Sequence, residues 1–188
     1  MRIVGGRFRG RAIAGPQSDA IRPTSDRARE AIFNILVSRS GPDFSGRRVL
    51  DLFAGTGAMS LEALSRGADA AVLIDTGIEA RALIRDAIDT FGLGGSTRVL
   101  KRDACSMGPN EKYAPFDLVF CDPPYSQGLG ETALLSAAKG GWLVPGADIV
   151  LEERRGQNVD LPQGFELVDQ RHYGEAEVRF LTYTGDLG

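Results

Sequence analysis

The chain has 188 residues, 43% of them apolar, and a formal net charge of −3, which fits one soluble domain of ordinary size. No apolar run reaches the length of a membrane span, and the charged, glycine-bearing start does not read as a leader. Two cysteines, Cys105 and Cys121, are too few for a disulfide framework or a zinc site and read as buried, reduced thiols of a cytoplasmic protein.

Charge is unevenly distributed. Residues 1–48 hold ten Arg against four acidic residues, a local +6, and the remainder is acidic. An arginine-rich segment on an acidic domain suggests a local phosphate-contacting surface. At its start, Met1-Arg2-Ile3-Val4 and Arg11-Ala12-Ile13-Ala14 flank a Gly-containing loop, a pattern that predicts a β-hairpin. Arg7, Phe8, Arg9 and Arg11 give that hairpin guanidinium groups for RNA phosphates and a ring for stacking. Arg22 adds a further basic group where a loop containing Pro16 and Pro23 ends. Residues 1–22 are thus expected to form a basic hairpin extension, and 23–188 the main domain.

Thr24, Ser25 and Asp26 are candidate caps for a helix over 25–39, with Ala28, Ala31, Ile32, Ile35 and Leu36 on its apolar face and Arg27, Glu30 and Asn34 opposite. Strands then alternate with helices. The pattern predicts strands near 48–53, 70–75, 97–101, 116–121 and 147–152, and helices near 57–67, 77–91 and 129–140. This alternation implies a parallel sheet with right-handed crossovers. Phe165–Arg171 and Val178–Tyr183 read as a terminal hairpin around Gly174, so at least one strand runs antiparallel. The fold class is a Rossmann-like α/β sheet.

Asp51, Phe53, Ala54, Gly55, Thr56 and Gly57 occupy the first strand-to-helix turn. Glycines there let backbone approach a ligand. The third glycine of a dinucleotide fingerprint is absent, and Asp51 would repel a pyrophosphate but suits a cation. The turn therefore favours S-adenosylmethionine over NAD. Asp75, ending the second strand, is placed for ribose hydroxyls; Asp103 and Ala104, after the third, are candidates for the adenine amine and ring.

Asp122-Pro123-Pro124-Tyr125 follows the apolar run Leu118-Val119-Phe120-Cys121. An exocyclic base amine is a poor nucleophile, because its lone pair is delocalised. Asp122 and a neighbouring carbonyl can accept its two N–H groups and aim the nitrogen at a methyl carbon. The prolines stiffen the loop, and Tyr125 can stack on an unstacked base. These residues predict methylation of a nucleobase amine.

The N-terminal stretches 1–11 and 22–36, the turn 49–57, residues 61–68 and the loop 122–125 together resemble the RsmD family of 16S ribosomal RNA guanine-N2 methyltransferases. The resemblance implies a seven-stranded class I methyltransferase fold, S-adenosylmethionine as cofactor, and a guanine amine of the small ribosomal subunit, or of its assembly intermediate, as target. It is expected to act as a monomer. Two positions depart from the family pattern: Asp75 stands where Glu is usual, and His172 where Lys more often precedes Tyr-Gly. His172 itself reads as a strand-edge residue rather than a base. The rival readings are an N6-adenine or N4-cytosine DNA methyltransferase, disfavoured by the lack of a separate target-recognition domain, and a non-catalytic RNA-binding assembly factor, disfavoured by the intact Asp51, Gly55, Gly57 and Asp122.

Overall fold

A computed structural model describes residues 1–188. One helix, α1 (Asp26–Ser40), precedes the sheet. Then come β1 (Arg48–Leu52), α2 (Ala58–Ser65), β2 (Ala70–Ile74), α3 (Ile78–Phe91), β3 (Thr97–Leu100), β4 (Phe116–Cys121), α4 (Leu129–Lys139), β5 (Leu143–Arg154), β6 (Phe165–Tyr173) and β7 (Ala176–Tyr183). The seven strands lie in the order β3-β2-β1-β4-β5-β7-β6. The first five run parallel, and β7 pairs antiparallel with both β5 and β6. The predicted sheet and its terminal hairpin are therefore present. β5 starts earlier than its apolar run, because Leu143 already pairs with Phe116 ahead of an irregularity at Phe116/Leu118.

Val49, Leu50 and Leu52 of β1 have no exposed surface, as expected of a central strand covered on both faces. On one face Val49, Leu73, Phe120 and Val150 pack with α1, α2 and α3. On the other, Leu50, Val72, Cys121 and Leu151 pack with α4 and with a short 3₁₀ turn at Ala104–Ser106. The side-chain period of two makes this division strict. It also decides where the strand-end acids point. Asp51, Asp75, Asp122 and Glu152 share the parity of Leu73, Phe120 and Val150, so all four belong to the α1–α3 face.

Ser25 caps α1, its side chain accepting from the Ala28 amide at 3.1 Å. In α3 the apolar stripe Ala80, Ile84, Ala87, Ile88 and Phe91 is fully buried. In α1 one residue runs against the pattern. Arg29, left outside both faces of the predicted helix, is completely buried beside Ile32 and Phe33. Its Nε meets Glu62 Oε2 of α2 at 3.4 Å, and its Nη2 meets Asp26 Oδ1 at 2.8 Å and the Arg2 carbonyl. Glu62 also accepts from the Val4 amide at 3.0 Å and from Arg66 Nε at 3.0 Å. Burying a charge is costly unless it is paired. This cluster pairs both signs and ties the N-terminus to α1 and α2.

The predicted N-terminal hairpin is short: its arms pair antiparallel at Arg2 and Ala12, with the Ile3 amide donating to the Arg11 carbonyl at 2.9 Å and the Ile13 amide to the Met1 carbonyl at 2.8 Å. Its two apolar anchors, Ile3 and Ile13, are buried in the α1–α3 core. Its loop turns away from ladder pairing to bond α2: Arg7 N donates to the Ser65 carbonyl at 2.8 Å and Phe8 N to Ser65 Oγ at 3.0 Å. Gly6, at φ +76°, permits this approach, since a Cβ there would lie 2.0 Å from the Ser65 carbonyl oxygen.

Candidate active site

Strand order reverses between β1 and β4, and ligands of wound α/β sheets bind at the carboxyl ends beside such a switch. The register pairs Leu52 with Cys121, so the turn after β1 and the loop after β4 leave the sheet side by side. A cavity of about 1270 Å³ opens there. Its wall includes Asp51, Phe53, Gly55, Asp75, Asp122 and Tyr125. Ala54, Thr56, Pro123 and Pro124 line it as well. The glycine turn and the Asp-Pro-Pro-Tyr loop thus face one space.

Local structure explains the turn. Asp75 Oδ2 accepts the Gly55 amide at 2.9 Å, and Oδ1 accepts the Gly77 amide at 2.7 Å. The β2 acid therefore braces the β1 turn while remaining on the cavity wall. Gly57 does not line the cavity. It begins α2 at φ +76°, and a Cβ there would press on Ile84 and Leu73 at 3.2 Å, so its role is close packing of α2 against α3.

Asp51 is 4% exposed and accepts from Ser60 Oγ at 2.6 Å. Burial pushes its carboxyl up to about 7, more than the Ser60 hydrogen bond lowers it, and Asp75 raises it further. Asp122 is pushed well above the usual carboxylate range, first by burial and then by the charges of Glu152 and Asp51, with Arg22 partly opposing. No group of the chain donates a hydrogen bond to its carboxylate, so both oxygens are available to a ligand. Tyr125 OH donates to Glu152 Oε1 at 2.7 Å, and the Arg22 guanidinium sits 5.2 Å from the Tyr125 ring centre. The Ser126 amide donates to Glu153 Oε1 at 2.9 Å, which anchors the loop to the end of β5.

Other predicted positions lie elsewhere. Asp103 and Ala104 are not among the residues that line the cavity. Asp103 caps the 3₁₀ turn through the Cys105 amide at 2.9 Å, and Ala104 is buried on the α4 face. Arg22 is on the cavity rim, whereas Arg7, Phe8, Arg9 and Arg11 are not. Phe8 packs on Phe91 with ring centres 5.0 Å apart, and the Arg7 and Arg11 guanidiniums lie 4.5 and 5.2 Å from the Phe8 ring centre. Arg11 also donates to the Thr90 carbonyl at 2.9 Å. Phe8 is therefore half-buried packing rather than a free stacking ring. It lies at the far end of α3, about 20 Å along the helix from Ile78 at the cavity. Cys105 is half-buried rather than buried, Cys121 is buried, and both are free.

The sequence reading missed Glu152 and Ile78. Glu152 follows Ile149-Val150-Leu151 as Asp122 follows its own apolar run, and that repeated strand-end acid was the available signal. Ile78, 80% exposed on the cavity rim at the start of α3, is an unpartnered apolar group that α3's periodicity could not reveal. His172 lines the rim and places Nδ1 3.2 Å from Glu177 Oε2 on the neighbouring strand, in keeping with a strand-edge residue.

The family described as Conserved hypothetical protein 95 matches residues 1–182. The ribosomal RNA small subunit methyltransferase D of Escherichia coli K12 is 40% identical over 154 residues, covering 81% of this chain and 74% of the relative. The chain belongs to the RsmD family of methyltransferases. The solved yhhF protein of Escherichia coli, named as a candidate methyltransferase, superposes with a TM-score of 0.82 at 31% identity over 99% of each chain. A Thermus thermophilus 16S rRNA N2 G1207 methyltransferase in complex with AdoMet and guanosine shares the fold, with a TM-score of 0.62 at 21% identity over 90% of this chain and 45% of that one. The sheet is that of a class I methyltransferase. No helix is long and apolar enough to cross a membrane.

Proposed function

We propose that this RsmD-family protein transfers a methyl group from S-adenosylmethionine to the exocyclic N2 amine of a guanine in 16S ribosomal RNA. The observation that carries the reading is the shared cavity. A buried acid and a glycine turn end β1, and a carboxylate free of internal hydrogen bonds, followed by two prolines and a ring, ends the adjacent β4.

The donor set fits the cofactor. Asp51 offers a buried carboxylate to a cationic ligand, Asp75 offers acceptors at the end of β2, and Phe53, Ala54, Gly55 and Thr56 offer backbone and small side chains. Ile78 adds an apolar surface for an adenine ring. Bound S-adenosylmethionine supplies a methyl group activated by a sulfonium centre.

The chain's own residues then act on the base. Asp122 and the Pro123 carbonyl accept the two N–H groups of the amine and turn its nitrogen toward the methyl. Holding the reactants in this way contributes several kcal/mol to lowering the barrier. As the nitrogen gains the methyl it sheds one proton, which Asp122 is placed to receive and to pass to water. Tyr125, held by Glu152, stacks on the base. Pro123 and Pro124 fix the loop, and both lack an N–H that would compete for Asp122.

The cavity rim at Arg22 would take the flanking phosphates. The basic extension of residues 1–22 would contact more distant phosphates of the small subunit through the exposed Arg7 and Arg9, with Phe8 and Arg11 holding it on the domain of residues 23–188. The protein would act as a cytoplasmic monomer on the small subunit or its assembly intermediate. Tritiated methyl transfer to undermethylated small subunits, followed by nucleoside mass spectrometry, tests the reading. N2-methylguanosine is the expected product; methyl on another base, or none, would overturn it.

A further inference from the structure

Glu152 lies outside the catalytic machinery described so far, except as the acceptor that holds Tyr125. β4 and β5 are parallel neighbours, with Cys121 paired to Leu151. Asp122, just past the end of β4, and Glu152 of β5 follow that pair. Their backbones are therefore about 5 Å apart and their side chains leave the same face of the sheet. Both line the cavity. Glu152 Oε1 accepts from Tyr125 OH at 2.7 Å, and no group of the chain donates to Oε2. The carboxyl is drawn above its ordinary range by burial, with Glu153 adding to the shift while Tyr125 and Arg22 oppose it.

In their ionised forms, two adjacent carboxylates present acceptors only. The Watson–Crick edge of guanine presents N1–H beside the two N–H groups of its 2-amine, a run of donors only. Adenine and cytosine each place an acceptor, N1 or N3, beside their amine. Facing Asp122 and Glu152, that acceptor would meet a carboxylate lone pair. Unpaired or opposed buried polar groups discriminate strongly between otherwise similar substrates.

We infer that Glu152 is the specificity-determining residue of this site: its Oε2 accepts guanine N1–H while Asp122 holds the 2-amine, and its Oε1 keeps the Tyr125 ring against the base. The inference rests on the proposed guanine-N2 activity and adds the group that selects guanine.

The test uses the full chain and small subunits whose RNA carries, at the methylated position, either guanine or 2-aminopurine. The latter keeps the 2-amine but has an acceptor at N1. Wild type should favour guanine in kcat/KM by about 10–100-fold, the range for a hydrogen bond to a charged group lost from a buried site. Glu152→Gln keeps an oxygen for Tyr125 and can present its NH2 to N1. It should lose activity on guanine by a similar factor, while 2-aminopurine falls far less or gains, so that the preference collapses or inverts. Tyr125→Phe removes the tether and leaves the carboxylate, so it should lower both rates and retain the guanine preference. Equal loss on both bases in Glu152→Gln, with the preference intact, would make Glu152 merely structural and overturn the inference. Equal use of both bases by wild type would overturn it without any variant. Absence of guanine methylation by wild type would instead defeat the underlying activity.

Discussion

Asp51→Asn separates what the site costs the fold from what it gives to binding. The wild-type carboxyl moves from 3.8 to about 7 on folding, chiefly through burial. A carboxyl raised in this way is neutral in both states below pH 3.8. As pH rises from there, the unfolded chain ionises first, and stability falls until the folded group also ionises near 7. The shift of about 3 units at 1.36 kcal/mol each gives a loss of up to about 4 kcal/mol at pH 8. Asparagine is close in shape, still accepts from Ser60, and does not titrate. The variant should therefore be more stable than wild type at pH 8, with a melting temperature higher by roughly 2–4 °C for each kcal/mol recovered. That advantage should shrink steadily between pH 7 and 4. The same substitution should weaken S-adenosylmethionine binding at pH 8, because the carboxylate that faces a cation is gone. Scanning calorimetry across pH and titration calorimetry at pH 8 measure the two effects. A stability difference that does not vary with pH would refute the proposed burial cost, and an unchanged dissociation constant would refute the binding role.

Asp75→Ala removes the acceptor of both the Gly55 and Gly77 amides. It should weaken cofactor binding by about 10-fold or more, and an unaltered constant by calorimetry would reject the assignment. Arg29→Ala leaves Glu62 buried without its guanidinium partner, and should cost about 3–5 kcal/mol in urea unfolding. Arg7→Ala with Arg9→Ala should leave cofactor binding untouched while weakening RNA binding and lowering its salt slope by about 2; an unchanged slope would mean that neither guanidinium contacts phosphate.

The sheet was legible because its code is local. Apolar runs followed by an acid mark β2, β4 and β5, as in Ala70–Ile74 before Asp75, Leu118–Cys121 before Asp122 and Ile149–Leu151 before Glu152, and the glycine turn marks the first crossover. The same code located Asp51, Asp75 and Asp122, because a residue at the end of a parallel strand needs no tertiary information to reach the ligand edge. It did not settle the placement of Asp103 and Ala104, which are not among the cavity-lining residues. Whether a residue after β3 faces the cavity depends on how many residues follow the last ladder pair, and Val99 and Leu100 already divide between the two cores. Arg29 was invisible for a different reason. A charged residue reads as solvated unless its partners are known, and those partners, Glu62 and the Arg2 carbonyl, lie 33 and 27 positions away. The N-terminal hairpin shows the limit from the other side: alternation and glycines foretold the pairing of its arms, which bond through the Ile3, Gly10 and Ile13 amides, but not that its loop would also bond Ser65 of α2. Phe8 was diverted in the same way, its ring finding Phe91 across 83 positions of chain.

The central claim is that two adjacent strand tips divide the work, β1 gripping the methyl donor and β4 gripping the amine. Asp122→Ala tests it most directly. Cofactor affinity and the single-turnover rate of methyl transfer are measured on the same preparation. Affinity should stay within about threefold of wild type, while the rate falls by about 100-fold or more, as when an oriented hydrogen-bonding group is removed from a transition state. A rate close to wild type would show that the amine is held elsewhere and would contradict the account.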